Sequence, residues 1–334
     1  MHSQTDNAIE VKDLTKMFGH LTAVDRLNFT VESGQVFGLL GPNGAGKTTT
    51  LSMLCTILKP TSGTAIVNGF DITKQASEVR KSIGIVFQDP SIDDRLTGRE
   101  NLEMHANLYG VARDYAKKRI EDVLRLVELE DRADFLMRTY SGGMRRRLEI
   151  ARGLIHYPKV LFLDEPTIGL DPQTREHIWS YISKLSKREN ITMILTTHYM
   201  EEADKLCEKV AIIDYGKIVT LDEPKRLKEQ LEGDIISVRV AAVKELSEKL
   251  KELESVRDLK EHEGELTLVV KNGSAVMPRV VEIAARLGVR IESMSIHEPT
   301  LEDVFLHHTG REIRDENGDE HRGLAVEVRR RRIR

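Results

Sequence analysis

Between Ala8 and about Gly233 the hydrophobic pattern keeps switching between short continuous apolar runs and longer stretches with helical spacing. Val36–Leu40, Ile83–Phe87, Lys159–Leu163, Thr192–Thr196 and Val210–Ile213 are each built on a continuous apolar run, as strands covered on both faces are. With helical segments between them, they predict an α/β domain built on a largely parallel core sheet. From Phe87 to Val160 the alternation stops. Glu100–Leu108, Ala116–Leu129 and Gly143–Ile155 all read as helices, so a helical insert over about residues 89–158 is expected.

A different order begins after Glu223-Pro224 and the helix Lys225–Leu231, where Gly233 ends the first pattern. Strand Ile235–Val240, helix Lys244–Glu252, strands near Val256–Leu259 and Glu265–Val270, helix Ala275–Leu287 and strand Val289–Ile296 follow. This βαββαβ order predicts a small ferredoxin-like α+β domain, closed by a helix near Leu301–His308. The expected division is 1–233, 234–310 and a charged, flexible tail over 311–334. The cluster Val328–Arg334 at its end reads as a solvated tail rather than a lipid contact.

Composition adds mainly exclusions. The 334 residues are 40% hydrophobic and 31% charged with a formal charge of −4, so no global pull toward nucleic acid is expected. Cys55 and Cys207, without metal-ligand spacing, suit buried reduced thiols. The apolar runs fall short of the roughly 20 residues that span a bilayer. The opening MHSQTDNAIEV lacks a basic start and apolar core, so no secretory signal is expected.

Gly41-Pro42-Asn43-Gly44-Ala45-Gly46-Lys47-Thr48 fits G-x-x-x-x-G-K-[ST] between an apolar strand and a helix. Glycines let successive N–H groups curl around a polyphosphate, and the helix N-terminus adds partial positive charge. Lys47 would meet the β- and γ-phosphates, and Thr48 would offer a hydroxyl to Mg²⁺. This segment alone specifies an NTPase.

The apolar strand Val160–Leu163 ends in Asp164-Glu165, at the end that faces the ligand crevice in a parallel sheet. Asp164 would hold Mg²⁺ through its water shell, and Glu165 would polarise the attacking water. A helix N-cap explains one acid but not the strand before both. Tyr140-Ser141-Gly142-Gly143-Met144 offers a hydroxyl, two glycine amides and a helix start, which is either a simple cap or a second phosphate site.

In this order, between the P-loop and the two acids, that segment resembles the signature motif of ABC-type ATPases. The resemblance implies ATP and Mg²⁺ as cofactors, with nucleotide contacts at Gly41, Pro42, Asn43, Gly44, Ala45, Gly46, Lys47, Thr48 and Thr49. It carries the adenine-stacking aromatic to Phe18, the Q-loop glutamine reaching Mg²⁺ and the attacking water to Gln88, and the D-loop to Gly169-Leu170-Asp171. His198 matches the switch histidine, and Lys47, Glu165 and His198 form the implied catalytic set, with Thr48, Gln88 and Asp164 around the metal. Met144 departs from the family, which often has glutamine there, so a thioether replaces an amide.

The resemblance also implies that Ser141, Gly142 and Gly143 of one subunit complete the ATP site of another. One nucleotide domain then calls for a second ATP-binding subunit, as a homodimer. Over nearly the whole chain the sequence is similar to the daunorubicin-resistance type of exporter ATPase. The segments carrying this are Leu96–Leu102, Tyr140–Arg147, Thr196–Ala203 and Glu298–Phe305. That type implies a separately encoded multi-helix membrane permease, which makes most contacts with the transported small molecule, and a place at the cytoplasmic face of the membrane. An importer ATPase usually lacks the Glu298–Phe305 segment. A soluble ABC protein of translation or DNA repair would show fused nucleotide domains, zinc cysteines or coiled coils.

Overall fold

In the computed structural model, residues 7–89, 91–240, 243–262 and 264–310 are described. The charged tail expected over 311–334 lies outside the described residues. The chain opens with a long antiparallel pair, β1 (Asn7–Phe18) and β2 (Leu21–Glu32), then enters the core with β3 (Val36–Leu40) and helix α1 (Lys47–Leu54). Strands β4 (Ser62–Val67) and β5 (Phe70–Asp71), helix α2 (Ala76–Ser82) and strand β6 (Ile83–Val86) follow. Three consecutive helices come next: α3 (Gly98–Leu108), α4 (Arg113–Leu126) and α5 (Gly142–Leu154). The core resumes with β7 (Val160–Asp164), α6 (Pro172–Glu189), β8 (Thr192–Thr197), α7 (Met200–Leu206), β9 (Lys209–Asp214) and β10 (Lys217–Asp222).

The core sheet has the order β10-β9-β3-β8-β7-β6, parallel except for the edge strand β10. Its central strands are mainly apolar because side chains on both faces are covered: Phe37 and Leu39 pack on one side, Val36 and Leu40 on the other. The helices α3 to α6 cover the second side.

A second sheet, β2-β1-β4-β5, covers the first side, and Phe29 stacks on Phe37 with ring centroids 5.2 Å apart. The pattern of residues from Ala8 onward predicted the parallel core, and this antiparallel layer stands beside it as an addition. The cause is local: the β1–β2 register shifts four times, and Asp13 and Arg26 take φ of 48° and 50°. Each bulge moves the alternation by one residue, so a period of two never persists long enough to read.

Beyond helix α8 (Pro224–Glu229) the chain forms β11 (Asp234–Val240), α9 (Val243–Lys251), β12 (Val256–His262), β13 (Glu265–Val270), α10 (Gly273–Arg286) and β14 (Ile291–His297). The third sheet, ordered β12-β13-β11-β14 and antiparallel, follows the βαββαβ expectation. Helices α9 and α10 pack on one face through Leu246, Leu250, Val276 and Val280. Helix α11 (Leu301–Thr309) starts at a Thr300–Asp303 capping box and turns back to the first sheet system. Its Leu301, Val304 and Phe305 share one core with Ala203 and Cys207 beside α7 and with Leu227 and Leu231.

Candidate active site

Strands β3, β8 and β7 are parallel neighbours, so their C-terminal ends lie side by side. The P-loop leaves β3, His198 follows β8, and Asp164-Glu165 end β7; sheet topology therefore brings together three segments distant in sequence.

The P-loop backbone requires its glycines. Gly44 and Gly46 take φ of 80° and 102°, and a Cβ on Gly41 would stand 2.1 Å from the Ile213 carbonyl oxygen. The loop lies partly open: Asn43, Gly44 and Thr48 are exposed, Pro42, Gly46 and Thr49 half-buried, and Ala45 and Lys47 buried. Lys47 donates from Nζ to the carbonyls of Gly41 at 2.8 Å and Pro42 at 3.1 Å. Its ammonium also stands 3.4 Å from Glu165 Oε1. Burial pulls the Lys47 pKa below its ordinary value, against the pull of Glu165.

Glu165 takes φ of 46°, a strained conformation for a non-glycine residue, and its N–H donates to Thr196 O at 3.1 Å and Thr196 Oγ1 at 3.0 Å. The turned carboxylate meets Lys47 on one oxygen and His198 Nδ1, at 3.0 Å, on the other. Burial alone would raise its pKa, but His198 and Lys47 together hold it below the ordinary carboxylate value. A buried, ionised carboxylate at a sheet's ligand end is suited to orient and polarise water.

Asp164 Oδ1 accepts from Thr48 Oγ1 at 3.1 Å and from Thr196 Oγ1 at 2.5 Å. Burial raises its pKa despite these bonds, an electrostatic cost that a cation would relieve. A hydroxyl and a carboxylate are hard oxygen donors of the kind Mg²⁺ takes, so the residues present fit that ion. Gln88 lies exposed just past β6.

Ser141, Gly142 and Gly143 sit elsewhere. Ser141 Oγ accepts from Met144 N at 3.3 Å as the cap of α5, and a Cβ on Gly142 or Gly143 would meet Leu170 or Thr174. Asp171 caps α6 by accepting from Thr174 N at 3.0 Å. Ser141, Gly142 and Asp171 are exposed, and among the described residues no hydrogen bond joins the Ser141–Gly143 segment to the P-loop. Phe18, at the end of β1, is 39% exposed with Lys16 Nζ 5.1 Å from its ring centroid.

Sequence reasoning missed three supporting residues. Thr196 holds both acids, as described. Arg146, buried on α5, donates to the carbonyls of Phe87 (2.6 Å), Pro166 (2.7 Å), Asp164 (3.0 Å) and Glu165 (3.1 Å), and to Glu149 Oε2 (2.9 Å). Glu149 in turn accepts from Ser91 N at 2.9 Å, so one arginine ties the helical insert, the segment after β6 and both acids together. A cation placed on the inward side of a helix was the available signal. Glu202, on α7, is the third.

Comparison with known proteins places these features. Residues 24–168 match the family model described as ABC transporter, and residues 223–309 match the ATP-binding protein DrrA1-3-like C-terminal domain. The linearmycin resistance ATP-binding protein LnrL of Bacillus subtilis (strain 168) is 37% identical over 311 residues, covering 92% of this chain and 100% of that one. The daunorubicin/doxorubicin resistance ATP-binding protein DrrA of Streptomyces peucetius is 37% identical over 324 residues, covering 96% and 98%. Among solved structures, a dimeric post-hydrolysis state of the ATP-binding cassette MJ0796 bound to ADP and Pi aligns with a TM-score of 0.58 at 27% identity, covering 64% of this chain and 98% of that one.

Proposed function

The chain belongs to the ABC transporter family of ATP-binding subunits, and from that premise we propose how it works as the ATP-hydrolysing subunit of an exporter. One observation carries the reading: Lys47 and His198 both stand within 3.4 Å of the Glu165 carboxylate, while Ser141 and Gly142 are exposed and share no hydrogen bond with the P-loop among the described residues. Such a chain holds two complementary half-sites, and two copies facing head to tail would complete both. The dimeric cassette bound to ADP and Pi supports that assembly.

In each composite site the P-loop N–H groups and Lys47 bind the β- and γ-phosphates of ATP, Phe18 stacks on adenine, and Ser141 with the amides of Gly142 and Gly143 meets the γ-phosphate from the other copy. Glu165 orients the attacking water and His198 contacts the γ-phosphate while fixing the Glu165 carboxylate. Mg²⁺, held by Thr48 and by Asp164 and Gln88, would neutralise charge developing on the phosphates.

The Arg146 contacts give closure a route to the helical insert, since they link the acids to Phe87 and, through Glu149, to Ser91. Exposed Leu108 and Tyr157, and Tyr109 stacked on His156 at 3.8 Å, are side chains of the helical insert and its end that suit contact with a separate multi-helix membrane permease. No helix among the described residues is long and apolar enough to cross a membrane, so the substrate path belongs to that partner. The subunit would sit peripherally on the cytoplasmic face of the membrane. Residues 1–233 form the motor in this reading, and 234–310 a regulatory or dimer-stabilising unit. The names of the relatives support a drug-like small molecule as the exported class.

Affinity purification of the Glu165→Gln variant from membranes with ATP present tests the assignment. A multi-helix membrane protein is expected to copurify. Ribosomes or DNA-repair proteins in its place would move the chain to a soluble ABC class.

A further inference from the structure

Glu202 is fully buried on the first turn of α7, four residues after His198. One oxygen, Oε1, accepts from Thr167 Oγ1 at 2.8 Å and from Trp179 Nε1 at 2.9 Å. The other, Oε2, is buried without a hydrogen-bond partner. Thr167 and Trp179 are themselves buried, and they belong to different segments: Thr167 to the loop between Glu165 and Asp171, Trp179 to α6, which Asp171 caps.

A carboxyl group in such a place is costly. Burial pushes its pKa up, opposed by the Thr197, Thr167 and Trp179 side chains and the Arg175 charge. An acidic first turn suits a helix N-terminus, but the neighbouring Glu201 is exposed and meets that need in water. A well-packed apolar side chain would be at least as stable in a core, so a buried acid that gathers donors from two segments is better explained by registration than by stability.

We propose that Glu202 is a positioning residue for ATP hydrolysis: it locks the segment carrying His198 to the Glu165–Asp171 loop and to α6. The segment from Thr197 to Glu202 can then move only together with that loop. His198 and Glu165 stay in contact as the exposed Asp171 end responds to the other subunit. This rests on the ATPase reading above. Loss of turnover in the wild-type chain would sink that reading itself, whereas an active wild type with unaffected Glu202 variants would sink only this inference.

The experiment compares steady-state ATPase kinetics, ATP affinity and melting temperature of the full chain across E202M, E202Q, T167V and W179F. E202M keeps volume but leaves both donors unpaired, and a displacement near 1 Å at a reacting group is expected to lower kcat by about 10- to 100-fold. KM and ATP affinity should stay within about twofold, because the P-loop is untouched. E202Q retains an acceptor oxygen and should recover to within about threefold of wild type. T167V and W179F each remove one donor and should lower kcat by about two- to tenfold at unchanged KM, which keeps the test open if E202M does not fold.

Trp179 is the only tryptophan in the chain, so its emission reports on this contact. That emission should differ between the wild type and T167V without nucleotide, because T167V loosens the carboxylate that Trp179 Nε1 donates to. Wild-type kcat in E202M, a loss that E202Q shares in full, a rise in KM alone, or unchanged kcat in both T167V and W179F would each overturn the proposal.

Discussion

His198 Nδ1 lies 3.0 Å from Glu165 Oε2, while the other oxygen of that carboxylate faces the Lys47 ammonium at 3.4 Å. The contact fixes the imidazole and the carboxylate against each other, and the carboxylate stays ionised although buried. Glutamine at 165 keeps the volume and an acceptor oxygen but removes the negative charge. Glu165→Gln is expected to slow hydrolysis by about 10² to 10⁴ while ATP affinity stays near wild type, measured by phosphate release and by nucleotide titration. Unchanged turnover would remove Glu165 from the chemistry.

Arg146 satisfies four carbonyls, three of them in buried contacts, and one buried carboxylate at once. Arg146→Met strands all of them, Glu149 most seriously, and should destabilise the fold by about 3–5 kcal/mol in urea unfolding. Lysine keeps the charge but is a point donor that cannot fork across those acceptors, so Arg146→Lys should recover only part of the loss. If the methionine variant unfolds like wild type, the linking role of Arg146 is wrong.

His105 and His156 flank Tyr109 between α3 and the end of α5. Burial, then the Arg152 and His156 charges, lowers the His105 pKa from an ordinary 6.5 to about 4, and burial also lowers that of His156. Below pH 6.5 the unfolded chain takes up these protons and the folded chain does not, so stability should be full above that pH and fall as pH drops toward 4. His105→Gln should flatten the pH dependence of stability in this window by up to one proton's worth of slope. An unaltered slope would place the acid sensitivity elsewhere.

The legible parts of the chain were those whose chemistry is local. The P-loop reads from one strand, one turn and one helix, and β11 to β14 read because polar turns separate alternating strands from helices α9 and α10. The antiparallel sheet over β1 was hidden by bulges at Asp13 and Arg26. Arg146 and Glu202 were hidden for another reason: their partners, Phe87, Asp164 and Pro166 for one and Thr167 and Trp179 for the other, are gathered only by folding. Ser141 shows the reverse limit, since the hydroxyl that caps a helix within one chain is the one proposed to meet phosphate across two.

Sharing of each ATP site between two copies is the central claim, and mixing Lys47→Ala protein with Ser141→Ala protein tests it most directly. Each variant alone should be close to inactive, because both of its sites carry one defect. A mixed dimer concentrates both defects in one site and leaves the other intact, so ATPase activity should rise on mixing, to about a quarter of wild type if half the dimers are mixed and the sites act independently. A mixture that hydrolyses ATP no faster than its two components under conditions of subunit exchange would contradict shared sites.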